Sequence, residues 1–62
     1  MIDQPTLTEA EWSLVIGLLE REMEELPVEI HHTRSSQMRN ELTQRREMVR
    51  ELLARLRPVA VV

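Results

Sequence analysis

The sequence predicts an all-α chain folded as an antiparallel two-helix hairpin. Three observations carry that reading. Two apolar runs share a spacing that alternates between four and three residues, a connection of about four residues joins the helices they mark, and the two halves of the chain are opposite in charge. At 62 residues the chain holds one structural unit. A chain near this size buries only ~60% of the surface its unfolded form exposes, so it usually needs a staple or a partner. With no cysteine, neither a disulfide nor a thiolate metal site can supply the staple.

The first helix is expected over about residues 9–32. Thr8 followed by Glu9, Ala10 and Glu11 fits a capping box, with Thr8 as the N-cap and Glu11 reaching back from the third helical position. Leu7 before the cap and Trp12 after it fit a hydrophobic staple, and Glu9 and Glu11 suit the positive end of the helix dipole. The apolar positions then run Trp12, Ile16, Leu19, Met23, Leu26, Ile30, the seam of a heptad helix rather than the alternation of a strand. Pro27 lies inside the run and forfeits one backbone hydrogen bond. Because the seam keeps register to Ile30, the expectation is a helix kinked at Pro27 that continues to about His32. His31 and His32 are expected to satisfy free carbonyls at its negative end.

The second helix is expected over about residues 37–57, begun by Ser35 or Ser36 as N-cap and ended by Pro58. Its seam reads Met38, Leu42, Arg45, Val49, Leu52, Leu56, with an apolar tail at 58–62 beyond it. A connection from Thr33 to Ser36 makes the helices antiparallel. The expected layers then join Ile30 to Met38, Leu26 to Leu42, Met23 to Arg45, Leu19 to Val49, Ile16 to Leu52 and Trp12 to Leu56. Arg45 is expected to lay its methylenes on the seam and direct its guanidinium to Glu20 or Glu24, while Glu20 faces Arg46. Residues 1–31 carry eight carboxylates against one arginine, net −7, and residues 32–62 carry seven arginines against three carboxylates, net +4. Halves of opposite sign attract when they lie side by side.

One hairpin leaves apolar surface over. Residues 14–19, Leu-Val-Ile-Gly-Leu-Leu, are apolar nearly all round the helix, which suits burial on more than one side. Trp12, Leu14, Val15, Leu18, Leu53, Val59 and Val61 are the expected interface residues, and Met48 adds surface beside them. Gly17, costly in a helix, is read as permitting close helix approach. Two hairpins joined through these faces make a homodimeric four-helix bundle.

Chemistry-bearing motifs are sparse. Glu29 and His32 have Glu-x-x-His spacing and Glu41 falls opposite Glu29, a weak candidate metal set, so no metal or other cofactor is expected. Arg39, Arg46, Arg50 and Arg57 on the second helix are the residues of a nucleic-acid-binding alternative. The net charge of −3 and the absence of an aromatic among them weigh against nucleic acid as a partner. The single glycine rules out a glycine-rich phosphate loop, and no serine or threonine has a recognisable base beside it, so no enzyme is expected. No basic start followed by an apolar run and no stretch of ~20 apolar residues is visible. The expectation is a cytoplasmic, non-enzymatic interaction or regulatory module. It would work through self-association or an unidentified protein partner, without membrane contact.

Overall fold

The structure is a computed structural model that describes the backbone of residues 4–60 and the side-chain surroundings of residues 4–58. Two helices, α1 (Glu9–His32) and α2 (Ser36–Ala60), pack against each other as an antiparallel hairpin. Thr8 opens α1 through a complete capping box. The Glu11 N–H donates to Thr8 Oγ1 at 3.1 Å, and the Thr8 N–H donates to Glu11 Oε1 at 2.9 Å. Leu7 and Trp12 on either side of the cap are both half-buried. The helix passes through Pro27 to His32.

Thr33 closes α1, taking the role expected of the imidazoles. Its hydroxyl donates to the Glu29 carbonyl at 2.7 Å and its N–H to the Ile30 carbonyl at 3.4 Å. A hydroxyl one turn beyond a free carbonyl reaches it with one rotor fixed, whereas exposed imidazoles would have to order a longer side chain. Ser35 opens α2: its Oγ accepts from the Met38 N–H at 3.3 Å, and its carbonyl accepts from the Arg39 N–H at 2.9 Å. Arg39 also returns a guanidinium nitrogen to the Thr33 carbonyl at 2.7 Å, so the three-residue connection is tied from both helices.

At its far end α2 continues to Ala60 with Pro58 inside it, where the sequence predicts a stop. Proline removes only the bond its own N–H would make to Ala54, and the amides after it can still reach back along the helix. The predicted tail is therefore helical through Ala60. The surroundings of the Val59 side chain, and all of Val61 and Val62, lie outside the described residues.

The core is small: Leu26, Val49 and Leu53, with Ile16, Leu19, Met23 and Leu42 packed half-buried against it. Leu53, at 3% exposure, is a core residue and not the surface residue the sequence predicts. The buried stripe of α2 runs Leu42, Val49, Leu53, which is the course of an ordinary 3.6-residue helix. A strict heptad drifts by ~20° per repeat against such a helix, so the inward position passes from Leu52 to Leu53 along α2. The expected layer of Ile30 on Met38 does not close, since Met38 is half exposed while Ile30 is partly covered.

Candidate functional site

Side by side, the helices form a slab with two broad faces. On the first, a shallow groove is lined by Glu20, Met23, Glu24, Arg50, Leu53 and Arg57. Arg57 closes over it and donates to Glu20 Oε2 at 3.2 Å, taking the place predicted for Arg46. The layers on this face thus sit further along α2 than the sequence places them: Met23 shares the groove with Leu53, and Glu24 shares it with Arg50. Arg50 also binds Glu47 one turn back in α2, at 2.7 and 3.2 Å. That hydrogen bond and the guanidinium charge hold the Glu47 carboxyl below its ordinary pKa and raise that of Arg50.

The second face is apolar. Leu18, Leu19, Met48, Val49 and Leu52 line one groove with Glu22 and Arg45 at its edge. A second groove follows directly, lined by Met38, Glu41, Leu42, Gln44, Arg45 and Met48. Arg45 leaves the seam on this side and donates from Nε to Glu22 Oε1 at 2.6 Å. The predicted acceptors Glu20 and Glu24 border the opposite face, out of line with the direction in which the Arg45 stem emerges. Leu14 extends this surface one turn beyond Leu18 toward the open end. Leu18 is 57% exposed and Met48 64% exposed, and Leu14 and Met38 are also half exposed or more.

The predicted interface residues divide. Leu14 and Leu18 stand exposed on the apolar face, Trp12 and Val15 are half-buried, and Leu53 is in the core. Met38 belongs to this surface although the sequence places it in the seam; it keeps the inward register but stands in the first turn of α2, beside the connection. Gly17 does not mediate close approach within the hairpin, because a β-carbon built there has nothing within 4 Å. Val28 is exposed as well.

The other candidate residues are scattered or engaged. Among the described residues no group of three or more His, Asp or Glu side chains gathers to hold a metal, so Glu29, His32 and Glu41 are not brought together. His31 and His32 meet each other edge-on, with ring centroids 5.3 Å apart. Of the four arginines in the nucleic-acid alternative, Arg39 ties the connection, Arg50 holds Glu47 and Arg57 holds Glu20. Among the described residues no helix is long and apolar enough to cross a membrane. No protein-family model, curated protein or solved structure matches the chain.

Proposed function

We propose that this hairpin is a small non-enzymatic interaction module that self-associates through its apolar face into a four-helix bundle. The observation that supports it is the continuous surface of Leu14, Leu18, Met48 and Met38, each half exposed or more, against three buried core residues among those described. Covering a Leu or Met side chain completely is worth ~1.5–3 kcal/mol, so covering these half-exposed ones recovers roughly half that for each. A core of this size rarely supplies more than ~3–5 kcal/mol by itself. Association therefore matters to folding as well as to recognition.

The test is sedimentation equilibrium of the full chain and of a Leu14→Glu, Leu18→Glu double variant, with helicity recorded alongside. The native chain is expected to be a dimer at micromolar concentration. The variant should dissociate at least ~100-fold more readily, as expected when two apolar anchors at the centre of an interface are replaced by charges. A native chain that stays monomeric with full helicity and a cooperative melt would remove the reading.

A further inference from the structure

We infer that, resting on the self-association proposed above, the occupant of the apolar face is a second copy of this chain stacked with both connections at the same end, so that α1 of each copy lies against α2 of the other. Two stackings bring the apolar faces together over their full length. A two-fold axis parallel to the helices sets α1 on the partner's α2, antiparallel, with both connections at one end. An axis across the helices sets α1 on α1 and α2 on α2, with the connections at opposite ends.

Charge chooses between them. Heptad-related positions of Leu18 place Glu11, Glu22, Glu25 and Glu29 on this face of α1, a row of four carboxylates in which Glu22 pairs with Arg45 at 2.6 Å and Glu25 with Arg21 at 3.8 Å. The corresponding face of α2 carries Glu41, Arg45 and Arg55, with Glu41 and Arg45 lining its groove. Stacking α1 on α1 opposes the acidic rows, and like charges in juxtaposition cost several kcal/mol at an interface. Stacking α1 on α2 opposes the acidic row to the helix of opposite sign.

Height along the helices gives the same answer. Leu18 and Leu19 already share a groove with Met48, Val49 and Leu52, so they stand at one level in the hairpin. An axis parallel to the helices preserves level, and Leu18 of one copy meets Met48 and Leu52 of the other. In the same register Glu25 comes within a turn of Arg45 in the other copy, and Glu11 comes level with Arg55.

An axis across the helices centred between Leu14 and Leu18 takes only Glu25 and Glu29 out of the overlap, still sets Glu11 level with Glu22 of the other copy, and lets just the open ends overlap. Full overlap of two-helix layers ~36 Å long and ~20 Å wide gives a footprint of ~700 Å², close to the ~800 Å² per partner of stable complexes. The open-end overlap keeps about 60% of that and falls well short.

The sequence contains no cysteine, so single labels can be introduced cleanly. Arg34→Cys in the exposed connection and, separately, Thr6→Cys before α1 carry a nitroxide each, and pulsed electron resonance reads the distance between copies. Same-end stacking is expected to give ~20–25 Å for the Arg34 label, set by the ~10 Å spacing of packed helix layers plus the label arms. The Thr6 label should also give a distance below ~35 Å, since its site lies at the shared open end. A dimer in sedimentation with an Arg34 distance above ~40 Å overturns the orientation while leaving self-association intact. A sample without an intermolecular distance that sediments as a monomer overturns self-association itself.

Discussion

On one broad face Arg57 reaches across to Glu20 at 3.2 Å over a floor of Met23 and Leu53. On the other, Leu14, Leu18 and Met48 stand more than half exposed beside the ion pair of Glu22 with Arg45. The same two helices build both surfaces. On the polar face the acidic and basic flanks answer each other within one chain, and the apolar floor is covered by long arginine stems. On the apolar face the side chains projecting from α1 and α2 have no third helix to meet. One face thus closes its cross-helix ion pair within a single chain, whereas the exposed leucines and methionines of the other find no cover there and call for another molecule.

The sharpest way to break the comparison is to truncate one leucine from each environment. Leu26 is fully buried at the centre of the core, and Leu26→Ala is expected to cost ~2–5 kcal/mol through lost transfer energy and the cavity left behind. A core of this size rarely supplies more than ~3–5 kcal/mol, so cooperative unfolding should be lost or shifted to much lower temperature. Leu18→Ala removes a side chain already largely in water, and at high dilution should cost less than ~1 kcal/mol. Thermal melts by circular dichroism over a range of concentrations separate the two. The Leu26 variant should be unstable at every concentration, whereas the Leu18 variant should fall behind the native chain only where the native chain associates.

The sequence makes the ends of the elements easiest to read, because each rests on two or three neighbouring residues. Thr8 and Glu11 announce α1, and the serines before Met38 announce α2. Hairpin topology also follows from local facts, since a three-residue connection leaves two packed helices no other arrangement. Side-chain partners across the seam were harder to read, for a geometrical reason. Heptad counting is unambiguous over one or two turns, but by Leu52 and Leu53 the accumulated drift decides which of two adjacent leucines is buried. Arg45 shows the same difficulty in polar form, its acceptor depending on which side of the seam the stem emerges. The apolar face is legible through Leu14 and Leu18 on α1; on α2 the drift hides the burial of Leu53, while Met38, in the first turn beside the connection, stands half exposed although it keeps the seam's register.

A smaller effect of two signs sharpens the contrast between anchored and open positions on α1. Thr8→Ala deletes the acceptor for the Glu11 N–H and is expected to destabilise by ~1 kcal/mol. Gly17→Ala places a methyl group where nothing lies within 4 Å and is expected to stabilise by ~0.5–1 kcal/mol through helix propensity. For a domain of this size each should move Tm by several degrees, on the order of 4–8 °C per kcal/mol, in opposite directions. Gly17 lies a quarter-turn or more away from the row through Leu18 and Glu22, so Gly17→Ala should leave the sedimentation profile unchanged. A drop in Tm for Gly17→Ala would mean that a neighbouring helix approaches it after all.

The smallest effect concerns charge on α2, away from the apolar face. Glu47 is held below its ordinary pKa first by the hydrogen bond from Arg50 and then by that residue's positive charge. A carboxyl whose folded pKa lies below its unfolded one contributes stability above the unfolded value, and that contribution disappears as pH falls through the folded value. Carboxyl-detected NMR titration should therefore find Glu47 still ionised in acid where an ordinary glutamate carboxyl is already protonated. Arg50→Gln should move it back toward that ordinary value. Both side chains are exposed, so the pair gives little to the fold, and raising the salt concentration should weaken it further. Association through Leu18 and Met48 should be indifferent to Arg50→Gln, because neither Glu47 nor Arg50 lines the apolar grooves. If the variant altered the mass of the complex, the division of labour between the two faces would be wrong, and the arginine flank of α2 would have to be counted as part of the interface.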